Sequence, residues 1–159
     1  MNISVIAIGK LKEKYLKDAI NEYAKRLTRY CKLDLTVVQD EKTPENASLK
    51  EETQIKDKEG ELILKQVKEN MYIVALDLKG KMLSSEELAG FISTLGVNGD
   101  SNIAFVIGGS LGLSEKVLNR ANYKLCFSKM TFPHQLMRVI LLEQIYRGFK
   151  IISGEPYHK

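Results

Sequence analysis

Tryptophan is absent from this 159-residue chain, and cysteine, histidine and proline are scarce, with two, two and three copies. The cysteines, Cys31 and Cys126, lie far apart in apolar strand-like runs, so we expect small buried residues in a reducing compartment and no disulfide. With only two histidines beside them, no metal-ligand spacing is present. No stretch approaches the ~18 apolar residues of a membrane-spanning helix. The N-terminal MNISVIAIGK is too short and wrongly flanked for a signal peptide. We therefore predict a cytoplasmic protein with no metal and no membrane segment.

The chain also lacks a large excess of positive or negative charge, since the net charge is only +4. The charged residues are nevertheless distributed unevenly along the sequence. From Lys116 to the C-terminus eight Lys or Arg oppose Glu143 and Glu155, a net charge of +6, while the rest of the chain is slightly acidic. A basic end favours an anionic partner, most often nucleic acid. On charge alone, a solvated surface with no partner explains it equally well.

What is present is a regular alternation of short apolar runs and helical patterns over a length that suits one domain, residues 1–159. Strands are predicted at 3–8, 33–38, 71–78, 103–107 and 124–127, and helices at 12–30, 49–70, 84–95, 114–121 and from 133 onward. We expect a break near Gly60, a turn at 79–81, and a capping box of Ser84 with Glu87. This alternation predicts an α/β fold with a largely parallel sheet covered by helices on both faces.

The last helix has the longest apolar pattern. Pro133 suits a first helical position, and two apolar rows follow at helical spacing, so we expect burial against more than one neighbour. Ser128 or Thr131 could cap the loop before it. Such a helix could also form a dimer interface.

Common nucleotide-site motifs are missing. The run FVIGGSLGLS follows the fourth strand, but its Gly-Gly-x-x-Gly spacing fails the dinucleotide fingerprint, and no Walker lysine follows. No Gly-x-Ser-x-Gly elbow is present either. Glycines at this place let a backbone approach a ligand closely, as at the strand ends of open α/β sheets. A plain tight turn is the alternative.

Three loops could nevertheless converge. If strands three, four and five are neighbours, Leu76, Gly108 and the segment 127–132 all emerge on one edge, which is a stronger indication of a site than any one loop. Asp77 could bind a ribose or cap a turn. The polar groups nearby are His134, Arg138, Tyr157 and His158, although a lone histidine is more often structural. The residues alone thus predict an α/β binder of a nucleotide-like ligand with a basic end.

Taken together, FVIGGSLGLS, LCFSKMTFPHQLMRVILLEQIYR and the terminal PYHK resemble the RlmH family of bacterial rRNA methyltransferases, within the SPOUT class. The resemblance covers the whole chain. It implies a C-terminal trefoil knot, which no periodicity could indicate and which is rare in proteins. It also implies a homodimer, bound S-adenosyl-L-methionine, and methylation of N3 of a pseudouridine. That base lies in the helix-69 loop of 23S rRNA, and the family acts on the assembled 70S ribosome.

The same resemblance implies the site residues. Cofactor contacts fall on Leu76, Gly108, Phe127, Ser128, Lys129, Met130, Thr131 and Phe132. Arg138 is the expected catalytic cation, and Tyr157 or His158 the group that handles the proton or stacks on the base. The expected RNA contacts are His134, Arg138 and Lys159, and His134 could instead hold the loop in shape.

Two departures and two rival classes remain. Many relatives have His and Arg where this chain has Glu155 and Lys159, and a lysine cannot make a planar bidentate contact. One rival is a nicotinamide-dependent or other nucleotide-binding α/β enzyme. The other is a non-enzymatic ribosome-binding factor, which would keep the basic end without needing three convergent loops.

Overall fold

Five parallel strands form one sheet in the order β2-β1-β4-β3-β5. The computed structural model describes residues 1–158. The strands are β1 (Asn2–Ile8), β2 (Lys32–Val38), β3 (Tyr72–Met82), β4 (Asn102–Ile107) and β5 (Tyr123–Cys126). Since parallel strands need crossover helices, both faces are covered, and the central strands β1 and β4 are buried along nearly their whole length. The predicted α/β class and the five strands are confirmed.

Five helices alternate with the strands: α1 (Lys14–Leu27), α2 (Leu49–Gln66), α3 (Ser85–Val97), α4 (Glu115–Arg120) and α5 (His134–Ile152). One core holds α1, α3 and α5 against the sheet, and a smaller core holds α2 and α4 against the other face. Successive residues of β1 face opposite sides, so Val5 and Ala7 join the first core while Ile6 and Ile8 join the second. Across residues 1–158, no helix combines the length and apolarity needed to cross a bilayer.

The last helix is the centre of the larger core. Leu141, Leu142 and Ile145 are fully buried, and α5 packs between α1 and α3. This confirms the expected burial of the helix against more than one neighbour. Pro133 is the N-cap residue of α5, whereas we predicted it at the first helical position, so the helix begins one residue later than expected. No side chain caps this helix.

Two local predictions were wrong. Helix α2 continues unbroken through Gly60. A Cβ at this position would lie 2.2 Å from Ser114 Oγ, so the glycine permits close contact with the residues before α4. The predicted turn at 79–81 lies inside β3, where the pairing with β5 jumps from Leu76 to Lys81 as both oppose Leu125. Tertiary packing overrides local preference in both cases.

Candidate active site

The ends of β4, β3 and β5 lie side by side, because these three strands are consecutive neighbours in the sheet. At ~4.8 Å between strands, the three ends span about 10 Å. Leu76 is half-buried where β3 leaves its first register with β5, and Gly108 directly follows β4. The segment 127–132 follows β5. The structure therefore brings the three predicted loops to one edge.

The glycine loop after β4 (Gly108–Gly112) is tightly folded. A Cβ on Gly108 would lie 2.7 Å from the carbonyl carbon of Gly112, and Gly112 itself has a φ of +87°. The Gly112 N–H donates to the Gly109 carbonyl at 3.1 Å. The loop's own packing requires these glycines. Their presence therefore does not by itself indicate a ligand.

The segment 127–132 has no regular structure. Ser128 stabilises it from within, since its hydroxyl accepts from the Met130 N–H at 3.0 Å and its carbonyl accepts from the Cys126 thiol. The N–H groups of Lys129, Thr131 and Phe132 have no hydrogen-bond partner within residues 1–158. A short stretch of free backbone donors is what a neutral heterocycle such as adenine can use.

Apolar side chains are exposed beside these donors. Met130 is 74% exposed and Phe132 37% exposed. Apolar walls with a few polar groups are typical of small-molecule sites. The segment thus fits a nucleoside-like cofactor in both chemistry and position.

Arg138 lies at the neighbouring strand end and is only 3% exposed. Its Nη2 donates to the carbonyls of Ile8 and Gly9, the latter at 2.6 Å, which ties α5 to the end of β1. Its Nε and Nη1 are buried without a partner among the described residues. Burial lowers the pKa of this guanidinium, which nevertheless remains a cation at neutral pH. A buried cation with two free donors is a strong local source of positive potential.

His134 begins α5 and is half-buried. Burial and the positive charge of Arg138 lower its pKa, while Asp40 acts in the opposite direction. The imidazole is therefore neutral at pH 7. This favours the expectation that it shapes the start of α5 over a role as a phosphate-binding cation.

The C-terminal tail folds back along α5. The Tyr157 hydroxyl donates to Glu143 at 3.2 Å, and the Arg147 guanidinium lies 4.7 Å from the Tyr157 ring centre. Burial and the Glu143 charge raise the pKa of Tyr157 to about 12. Its phenol therefore stays protonated at neutral pH.

His158 ends the described part of the tail. It contacts Glu86 in the first turn of α3 at 2.7 Å and Arg147 at 3.2 Å. Because α3 begins where β3 ends, the tail points toward the edge where the three candidate loops meet. Lys159, predicted to contact RNA, lies outside the described residues.

Two features escaped the sequence predictions. Glu59 in α2 is 5% exposed beside the glycine loop, although a charged helix gave no reason to single out one of its many acids. The other is a second basic stretch at residues 10–32, with eight Lys or Arg against three Asp or Glu, all eight of them exposed. When this stretch is counted together with the acidic middle of the chain, the two charges cancel. Counting charge in shorter windows would have found it.

A further open groove of about 650 Å³ lies between α1 and the edge strand β2, lined by residues such as Lys25, Cys31 and Leu35. Burial raises the pKa of the Cys31 thiol to about 11. None of the predicted site residues lines this groove.

Comparison with known proteins defines the class. A family model described as "Predicted SPOUT methyltransferase" matches residues 1–158. Two solved structures share the fold: a probable methylase family protein from Haemophilus influenzae Rd KW20 and a probable methyltransferase from Bordetella pertussis Tohama I. The TM-score is 0.53 for the first, at 14% identity over 99% of this chain and 70% of that one. It is 0.54 for the second, at 10% identity over 92% and 95%. The fold and the match together define a SPOUT methyltransferase.

Curated relatives narrow this further. Proteins named ribosomal RNA large subunit methyltransferase H are 72% identical in Clostridium acetobutylicum and 73% identical in Clostridium novyi. Each alignment covers 100% of both chains. The chain belongs to the RlmH family of SPOUT methyltransferases.

Proposed function

We propose that this protein is an S-adenosyl-L-methionine-dependent rRNA methyltransferase that modifies N3 of a pseudouridine in the helix-69 loop of 23S rRNA. The substrate is the assembled 70S ribosome, in the cytoplasm. The convergence of the β3, β4 and β5 loops on one edge supports the proposal most directly, since three loops that meet at one edge suit the single cofactor site that the family resemblance implies.

Leu76, Gly108 and the segment Phe127–Phe132 are the proposed cofactor contacts. The cofactor supplies an electrophilic methyl group. The protein's tasks are to orient the two reactants and to favour the deprotonated target, and orientation alone can contribute several kcal/mol. The free N–H groups of Lys129, Thr131 and Phe132 suit the recognition of a base edge. Met130 and Phe132 can exclude water around it.

Arg138 is proposed as the cation that favours the anionic form of the target imide. Burial strengthens its field, and its Nε and Nη1 have no partner among residues 1–158. The Nη2 contacts with Ile8 and Gly9 hold the group at the edge next to β4.

The tail residues have different proposed roles. With its pKa at about 12, Tyr157 is a hydrogen-bond donor and a stacking surface, and a poor base. His158 is the better candidate for the proton: Glu86 orients the imidazole through Nε2, and Nδ1 would accept the proton once its contact with Arg147 is released.

The wider surface provides the RNA contact. Lys14, Lys17, Lys25 and Arg26 lie on α1, and Arg147 and Lys150 lie on α5, which packs against α1 on one face of the sheet. Such a surface can neutralise several phosphates. Lys159 is also a proposed RNA contact, as a point charge.

A homodimer, with a knotted C-terminal part in each protomer, completes the proposal. Leu136, at 38% exposed, is a third exposed apolar side chain close in the sequence to Met130 and Phe132. Pairing through these side chains would place two cofactor sites close together and enlarge the RNA footprint.

A cofactor panel separates this proposal from its rivals. Calorimetry should show binding of S-adenosylmethionine and none of nicotinamide nucleotides. A nicotinamide enzyme would give the reverse. A non-enzymatic ribosome-binding factor would bind 70S particles with the same affinity in the presence and absence of S-adenosylmethionine.

A further inference from the structure

Glu59 is a buried carboxylate that the proposed chemistry does not use. It lies in the middle of α2, is 5% exposed, and forms no ion pair within residues 1–158. Burial raises its pKa, and the charges of Asp40 and Glu41 act in the same direction. Burying a carboxylate without a cation is unfavourable, so packing alone gives no reason to place one here.

The surroundings of Glu59 are well defined. Its neighbour Gly60 lets α2 approach Ser114, where a Cβ would come within 2.2 Å of the hydroxyl oxygen. The Glu59 carboxylate lies beside Gly109, two residues after the end of β4. Its Oε1 and Oε2 lie 3.5 and 3.6 Å from the position that a Cβ on Gly109 would take.

The same carboxylate holds a second segment. Its Oε2 accepts from the Glu41 N–H at 3.1 Å. Asp40, the preceding residue, lies beside Gly9, with its Cβ 3.7 Å from the position of a Cβ there. Glu59 thus joins α2, the segment after β2 and the glycine loop.

Gly109 follows Gly108 and accepts from the Gly112 N–H, so a shift of Gly109 moves the whole glycine loop. We propose that Glu59 is a positioning residue for the cofactor site, holding the glycine loop and the Asp40–Glu41 segment in register with the ends of β1 and β4. This inference rests on the proposed function, since Gly108 is assigned there to the cofactor.

The test compares Glu59→Leu, which removes the acceptor, with Glu59→Gln, which keeps an acceptor for the Glu41 N–H. Exposed Glu61→Gln on the same helix is the matched control. We expect Glu59→Leu to raise both the Kd and the KM for S-adenosylmethionine about tenfold, as for a lost buried hydrogen-bond acceptor. Because the chemistry is untouched, kcat at saturating cofactor should fall less than about threefold. Glu59→Gln and Glu61→Gln should stay near wild type.

Gly109→Ala approaches the same contact from the other side and keeps the test decisive if Glu59→Leu does not fold. The new Cβ would touch the Glu59 oxygens at 3.5 and 3.6 Å and meet Ile8 Cγ2 at 3.3 Å, so the loop must shift by a few tenths of an ångström relative to Glu59 and the Kd should again rise. Unchanged cofactor affinity in both variants, or equal losses in Glu59→Leu and Glu59→Gln, would overturn the inference. Absence of S-adenosylmethionine binding by the wild-type protein would instead overturn the proposed function, and the inference with it.

Discussion

Arg138 combines a structural and a proposed catalytic role in one side chain. It fastens α5 to the end of β1 through two carbonyls and leaves two buried N–H donors free. Replacing it with alanine should lower methyl transfer by about 100-fold, the range for a lost electrostatic group at the reacting centre. Cofactor affinity should change less than about fivefold, because no proposed cofactor contact is lost. The measurements are single-turnover transfer and calorimetric binding on the same preparations.

Arg138→Lys is the control for charge. A lysine keeps the cation and one nitrogen that can donate to both carbonyls, as Nη2 does, but it lacks the two further buried donors, so activity should recover in part. Equal losses of transfer and cofactor binding in Arg138→Ala would contradict the catalytic role and leave only the contact with β1.

The ionisation of His134 should make the free energy of unfolding depend on pH. Its pKa is lowered in the folded protein by burial and by Arg138. The unfolded chain therefore takes up this proton at a higher pH than the folded protein does. The corresponding stability is present above about pH 6.5 and is lost as the pH falls through the lower folded pKa.

His134→Gln removes this titration. Urea unfolding between pH 5 and 8 should show a smaller loss of unfolding free energy on the acid side for the variant than for the wild type. Parallel curves across the whole range would show that His134 does not titrate differently in the two states.

At the scale of elements, helix α2 allows a test of whether close packing, and not helix propensity, explains the glycine at position 60. Gly60→Ala improves helix propensity by about 1 kcal/mol, but its Cβ would overlap Ser114 Oγ. Overpacking costs about 1–3 kcal/mol, so we expect a net destabilisation of up to ~2 kcal/mol. Gly90→Ala in α3 is the matched control, since its Cβ would meet nothing within 4 Å. The free energy of unfolding of that variant should rise by ~0.5–1 kcal/mol.

Urea unfolding of both variants gives the comparison. Stabilisation of Gly60→Ala would refute the packing argument.

The same helix shows where sequence reasoning stops. The apolar runs of the strands and the capping box at Ser84 are local signals, and both predicted their elements correctly. The need for glycine at position 60 comes from Ser114, more than fifty residues away, so no local pattern carries it. The β3 irregularity is similar, because Gly80 packs on the Lys124 backbone, where a Cβ would lie within 2.7 Å. Only the folded sheet brings those segments together.

At the scale of the molecule, the strand order explains why the convergence of the three loops could be predicted and other contacts at this edge could not. Loops that follow parallel strands share an edge, so Leu76, Gly108 and 127–132 needed only neighbouring strands. Contacts between Arg138 and Gly9, or between Glu59 and Glu41, join segments whose proximity depends on helix packing. Neither has a sequence motif.

The charge distribution of the whole molecule predicts RNA binding through α1. Changing Lys12 and Lys17 together to alanine should weaken binding to ribosomes. It should also make the slope of log affinity against log salt less steep by about 1.5, the value for two lost phosphate contacts. Lys50→Ala with Lys58→Ala on the acidic helix α2 is the matched control and should leave the slope unchanged. Equal slopes for both pairs would exclude this surface from the RNA contact.

The central claim is tested most directly by methyl transfer from labelled S-adenosylmethionine to 70S ribosomes, separated subunits and naked 23S rRNA. The modified nucleoside is then identified by mass spectrometry. We predict N3-methylpseudouridine from the 70S particle, with little from the subunits and none from naked rRNA. Cofactor binding without transfer to any of the three would contradict the proposed substrate, and transfer to a different nucleoside would contradict the proposed chemistry.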